Sequence, residues 1–327
     1  MDSYHKLALM YGYLAVGCWL IAACNSSAMK PASGGTMGSI VVVAEDGDTL
    51  AAQLVADELE RPCIALPQPE PMFDTQLMSI RSFKQAWGHL ARAYVLVSTS
   101  HERLPHPVLT CRLDGEATPQ ISFHLKAASY EQLQRDIDSL RSLIEHRLIA
   151  FERETAITEM KLNHNPKAEA AIKQLFGISM LVPRELTSSK HGEQFIWMSN
   201  DAITGMRNIC IYSLPSSNIK TAELVNKRDS VMKANIPGES SGMYMTTVAS
   251  SVKTFITEKE GQHTKKLQGL WEMKGDMMGG PFVALAIPDS LHQRTVVAEA
   301  FVYAPEQKKR NMMRQLEAAL YTVKILP

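Results

Sequence analysis

The stretch Gly238-Glu-Ser-Ser-Gly242 satisfies G-x-S-x-G around Ser240. A nucleophile elbow holds such a serine on a turn between a strand and a helix, so that its hydroxyl is exposed to a histidine. Here the apolar spacing predicts the reverse order, with a helix over 221–235 before the serine and an extended run over 243–248 after it. Asp276, Asp289 and His292 follow, so serine, acid and histidine can be written in a workable order. Ser240 is therefore a candidate nucleophile, and a polar turn is the competing reading. His101 and His106 share a proline-containing loop. Neither His-x-x-x-His nor Cys-x-x-Cys occurs, and the chain carries no glycine-rich phosphate loop. No metal and no cofactor are expected. Glu145 and His146 are neighbours on a predicted helix, where adjacent side chains diverge.

The most unusual composition lies in GLWEMKGDMMGGPF, residues 269–282. Glycines at this density permit tight turns or close approach to a ligand. Trp271, Lys274, Asp276, Gly279 and Gly280 are accordingly candidate contacts for a ligand or partner. The apolar runs on both sides equally fit a strand, a glycine turn and a second strand.

Residues 7–23 carry no charge, but they are too few and too glycine-interrupted for a full membrane span. Lys6 before them and small residues at their end describe an export signal. Ile21-Ala22-Ala23-Cys24 resembles a bacterial lipobox, in which the cysteine sulfur is alkylated and the preceding signal is removed. The expectation is a signal peptide over 1–23, lipidation at Cys24 and a small, polar, flexible tether over 24–39. An uncleaved anchor is the alternative. The first dozen residues after Cys24 contain no acid. By analogy with exported lipoproteins this predicts the periplasmic face of the outer membrane, with the cell surface as alternative.

Lys and Arg number 34 and Asp and Glu 34, with no basic stripe, so the electrostatic footprint of nucleic-acid binding is missing. Beyond Cys18 and Cys24, the cysteines are Cys63, Cys111 and Cys210. Three allow one disulfide at most, and each adjoins an apolar stretch, so buried thiols are expected.

The elements that must position these residues follow from periodicity. Strands are expected at 40–45, 93–98, 108–113, 120–127, 178–182, 194–198 and 208–214. Extended runs follow at 243–248 and 266–273, and a hairpin at 282–287 and 295–303. Pro67, Pro69 and Pro71 in ALPQPEPMF predict an extended, rigid connection. A long amphipathic helix should run from Ser129, its N-cap, to about Leu162, where Asn163-His-Asn-Pro166 breaks it. A second helix should start on Asn165 and Pro166 and end at Gly177, and a closing helix should span 305–323. Segregated strands and helices predict an α+β fold with antiparallel or mixed sheets and long amphipathic helices. At the level of elements the two halves, 40–163 and 164–327, read as similar.

Several stretches resemble the DUF4837 family, lipoproteins of the Bacteroidetes with no assigned function. They are the lipobox at Cys24, LPQPEPMF at 66–73, FGISMLVP at 176–183, NKRDSVMKANIPG at 226–238, the 269–282 stretch and FVYAPEQKKRNMMRQLEAALYTVK at 301–324. The resemblance implies an envelope lipoprotein with one family domain over 40–327 and carries over no catalytic residue. The functional expectation is a non-catalytic binding or assembly module, held to the membrane by its lipid, with an envelope protein or the cell wall as partner. A periplasmic hydrolase with a site gathered from distant residues is the alternative.

Overall fold

The structure is a computed structural model that describes residues 30–327 apart from 46, 101–102 and 260–261. The signal peptide and lipidation at Cys24 fall outside the described residues. The architecture is α+β, in two halves that share one long helix.

The first half is built on β1 (Ser39–Ala44), β2 (Asp74–Ser79), β3 (Ala93–Thr99), β4 (Val108–Leu113) and β5 (Ile121–Ala127), ordered β2-β1-β3-β5-β4. β4 pairs antiparallel with β5, while β1–β2, β1–β3 and β3–β5 are parallel. This sheet is mixed, one of the two forms expected, and mostly parallel. Two crossovers set its parallel pairs. α1 (Thr49–Leu59) links β1 to β2, and the short α2 (Ile80–Gln85) links β2 to β3. β2 escapes sequence reading because it is a half-exposed edge strand, DTQLMS. One sheet face is sealed by α1 and by α3 (Tyr130–Leu162), through Val42, Val95, Phe123, Leu133 and Leu140.

The second half is a seven-stranded antiparallel sheet, ordered β10-β11-β12-β13-β9-β8-β7. Its strands are β7 (Ser188–Gly192), β8 (Phe195–Ser199), β9 (Met206–Pro215), β10 (Tyr244–Lys259), β11 (Gln262–Lys274), β12 (Gly279–Asp289) and β13 (Arg294–Tyr303). Alternate residues of β12 and β13 serve opposite faces, and both faces are buried, which explains their near-continuous apolar sequences. α4 (Pro166–Phe176) and α6 (Arg310–Leu320) cover one face. α5 (Thr221–Asn235) covers the other. A small ribbon of β6 (Ile178–Ser179) and β14 (Lys324–Ile325) closes the end. With different strand order and sense, the halves do not repeat one fold.

The predicted caps are in place. Ser129 accepts from Gln132 N, and Gln132 reaches back to Ala128 N. Asn165 caps α4, Pro166 opens it, and Gly177 ends it at φ 60°. α3, at 33 residues, is the spine of the molecule. Leu133 to Phe151 fill the first core and Met160 enters the second. Its Glu152, almost fully buried, pairs with Arg92 at 2.7 Å and accepts from Gly38 N.

Three expectations change. Residues 30–39 of the expected tether are held against the folded chain. Thr118 N donates to Pro31 O, Gly34 N to Leu90 O, Arg92 N to Gly34 O, and Asn311 Nδ2 to Met37 O. Its polar residues lie along the first half and hydrogen-bond its backbone, a destination that composition does not encode. The closing helix begins at Arg310 rather than 305, because its cap comes from the other half. Glu70 Oε1 accepts from Lys309 N at 2.6 Å and Oε2 from Arg310 N at 3.0 Å. The proline-rich stretch is correspondingly a closed loop, not an extended connection. Cys63 N bonds Glu70 O, and Ala65 takes φ 57° at its bend.

Candidate functional site

The stretch 269–282 forms a β-hairpin whose glycines serve packing. Trp271 is buried, donates Nε1–H to Val302 O and meets Phe301 edge-on. A Cβ on Gly280 would come to 2.0 Å from Val302 O, and one on Gly279 to 2.9 Å from Trp271 O. Gly269 lies under Phe282, whose ring a Cβ there would meet at 2.9 Å. Lys274 and Asp276 are exposed on the turn. The structure thus separates the five candidates into a buried Trp271 with its glycines and two solvated charges.

Ser240 lies exposed in the turn before β10, where its carbonyl accepts from Met243 N. Met243 packs by Gly275, which puts Ser240 and Asp276 at the Gly279 end of β12. His292 is bonded to Asp289 at 2.8 Å beyond the opposite end of that strand. Eleven residues of strand separate the two ends, about 30 Å or more. These residues form no serine–histidine pair. Asp289 is held in place by Arg294 as well, and Arg294 also donates to Phe176 O. Burial pushes this carboxyl up, but Arg294 and His292 outweigh it and leave it below the usual range.

A larger concave feature lies elsewhere, at the joint of the two halves. A cleft of about 540 Å³ is walled by the 63–72 loop, the middle of α3 from His146 to Arg153, β10 to β12, and α6. Its surface is mostly apolar, with Leu66, Met72, Ile149, Phe282, Val283 and Met313 among its walls. Pro281 and Phe282 bring the end of the 269–282 stretch into it. At its edge Ile64 and Phe255 remain 47% and 42% exposed, while the Ile256 side chain leaves β10 on the opposite face.

Four cations line this cleft. Lys266 is neutralised by Glu317 at 2.5 Å. Arg310 is neutralised by Asp74, whose carboxyl burial pushes up and Arg310 and Lys308 bring below its ordinary value. Arg314 has no carboxylate within 4 Å among the described residues. It lies over Phe73, gives Nη2 to Met72 O and leaves Nη1 buried without a partner. Burial lowers the pKa of this guanidinium. Arg153 stacks on Tyr321 at 4.2 Å and meets only Glu154, its exposed chain neighbour, at 3.8 Å.

Cys63 and His146 share the cleft, but no hydrogen bond joins them. The Cys63 thiol contacts Pro71 O and Met72 Sδ at 3.7 Å. Burial raises its pKa despite the nearby Arg314 and Arg310, which leaves it a thiol rather than a nucleophilic thiolate. Cys63, Cys111 and Cys210 are all free. Cys210 is buried as expected, Cys63 half-buried, and Cys111 exposed, because β4 is an edge strand. No cluster of metal-binding side chains occurs among the described residues, and no helix there is long and apolar enough to cross a membrane. Sequence reasoning missed the cleft, although LPQPEPMF and the 301–324 stretch, both singled out by resemblance, are two of its walls.

Comparisons with known proteins bear on family rather than activity. No curated protein matches the chain. Among solved structures, the Saccharomyces cerevisiae Ran-binding protein Mog1p aligns with a TM-score of 0.31 at 13% identity, over 46% of this chain and 90% of its own. A point mutant of the protein Mog1 aligns with a TM-score of 0.30 at 11% identity, over 46% and 93%. Residues 33–161 match DUF8532, a domain of unknown function. LPQPEPMF falls in that range rather than in the DUF4837 match. Residues 165–322 match DUF4837, a domain of unknown function, which supports the resemblance read from the sequence.

Proposed function

We propose that this chain is a lipid-anchored envelope protein of the Bacteroidetes that binds a partner without catalysis, through the cleft between its halves. Its signal peptide, residues 1–23, is removed, Cys24 carries the lipid, and the folded chain stands at the periplasmic face of the outer membrane. The observation that carries the binding reading is the cleft itself. Four separate segments converge on a concave, largely apolar surface that keeps uncompensated cations, and the nucleophile within it is a protonated, hydrogen-bonded thiol. Such a surface is built to hold rather than to transform.

The intact mass of the membrane form tests the anchor, with loss of residues 1–23 and a gain of acyl groups expected. An unmodified Cys24 overturns it. The binding reading is tested in living cells by photo-crosslinking residues placed at Phe255, beside the cleft, and at Met277, on the 274–279 turn. Capture of a defined species at Phe255, weakened by Arg153→Gln, is expected. Capture at Met277 alone moves binding to the turn, and capture at neither position removes the binding reading.

A further inference from the structure

Resting on that reading, the structure also indicates what chemistry the cleft selects. The wall is apolar, and two large apolar side chains stand open to water around one edge, Ile64 from the 63–72 loop and Phe255, which lies opposite Lys266 on the α6 side of β10. Exposed apolar side chains clustered at the mouth of a groove mark a surface that is covered in use. Scattered single apolar residues would carry no such meaning.

Charge narrows the occupant. Pairing Lys266 with Glu317 and Arg310 with Asp74 removes two of the four cations from account. Arg153 and Arg314 remain. A guanidinium that is partly buried and lacks a carboxylate has lost hydration without a replacement, and an anion arriving in the cleft supplies Arg153 with a direct partner and Arg314, whose Nη1 is turned to Gly38, with a compensating charge. Glu154 does not serve this role for Arg153, since an exposed contact at 3.8 Å contributes little. Tyr321 instead holds the Arg153 guanidinium flat against its ring and so fixes its position. Arg314 is similarly held over Phe73.

A purely polar anion, such as free phosphate, would leave the apolar wall wet. A neutral apolar molecule would leave both guanidiniums unpaired. We propose that the cleft binds an anionic amphiphile, a single long apolar chain ending in a carboxylate or phosphate, with Arg153 on its head, the Arg314 charge behind it, and the Ile64 and Phe255 edge along its chain. The volume, about 540 Å³, is that of a small-molecule site.

The test uses the full mature chain with Cys24→Ser, which needs no detergent, and titration calorimetry below micellar concentrations. The probes are hexadecanoate, hexadecyl phosphate, hexadecanol, acetate and inorganic phosphate. One equivalent of at least one long-chain anion is expected to bind. Hexadecanol should be weaker by about tenfold or more, and the two small anions should give no saturable heat. Preference between the two long-chain anions identifies the head as carboxylate or phosphate. Arg153→Gln should weaken the charged probes about tenfold and leave hexadecanol unchanged, while Arg153→Lys recovers part of the loss. Phe255→Glu should weaken every long-chain probe. Both positions are solvent-exposed at least in part, so denaturant midpoints should not move. Hexadecanol binding as tightly as the anions, an Arg153→Gln variant with wild-type affinity, or saturable binding of inorganic phosphate alone each overturns the proposal. Failure of all long-chain probes with capture at Phe255 intact rejects the amphiphile and leaves the binding function standing.

Discussion

The joint between the halves rests on one carboxylate, and removing it is the sharpest test of the architecture. Glu70 comes from the proline-rich loop of the first half and takes two backbone N–H groups at the start of α6 in the second. All three residues are buried, with Glu70 6%, Lys309 3% and Arg310 4% exposed. Glu70→Ala leaves two buried donors without a partner, each costing about 1–3 kcal/mol. A lost helix cap costs about 0.5–2 kcal/mol when measured directly, and that figure describes part of the same loss, so the two are not summed. Water reaching the vacated space would hold the result toward the low end. The expected destabilisation is about 3 kcal/mol for Glu70→Ala. Glu70→Gln keeps one acceptor but loses the charge facing the helix dipole, and should cost about 1–2 kcal/mol. Urea unfolding followed by circular dichroism gives both values, with the slope unchanged. Hydrogen exchange adds a local reading, because the Lys309 and Arg310 amides should be protected in the wild type and released first in the variant. A Glu70→Ala midpoint shift worth less than about 0.5 kcal/mol, or unprotected amides at 309 and 310 in the wild type, would refute the reasoning.

Three further outcomes are expected. Gly280→Ala drives a Cβ into Val302 O and should cost about 3 kcal/mol or more, whereas Asp276→Ala on the exposed turn should stay within about 0.5 kcal/mol. Equal effects in thermal melts would mean that the glycines are not there for packing. The Asp289 carboxyl is held below its unfolded value, so its contribution is present above the unfolded pKa and lost as pH falls through the folded one. The gap in melting temperature between wild type and Asp289→Asn should therefore be widest near neutrality and close below about pH 4; a gap that widens with acid contradicts the assignment. A thiol reagent should label Cys111 first, Cys63 slowly and Cys210 only on unfolding, read by peptide mass after timed quenching. Early labelling of Cys210 would contradict the closed second core.

Local signals carried the sequence reading far in the elements that local signals govern. Ser129, Asn165, Pro166 and Gly177 act within a turn of themselves, and they delimit α3 and α4 where the chain predicts. The β12–β13 hairpin is likewise local. What failed depended on partners distant in sequence. β2 is polar because it is an edge, and its parallel pairing with β1 is set by the helix between them. The start of α6 is set by a carboxylate 240 residues away from Arg310.

The cleft belongs to the second group. Taken singly, Leu66, Ile149, Val283 and Met313 read as core residues, and Arg153 and Arg314 read as the solvated face of a helix. Only the docking of α6 on α3 and on the 63–72 loop turns those residues toward one another. The same contacts that build the cleft also fix α6, through Glu70, Pro71 and Met72. A ligand whose charge compensates Arg314 therefore acts on the joint itself. It should raise the unfolding midpoint of the whole chain, and the gain should shrink in Glu70→Ala, where the end of α6 is already released. An equal gain in both backgrounds would separate the cleft from the joint and require a site elsewhere.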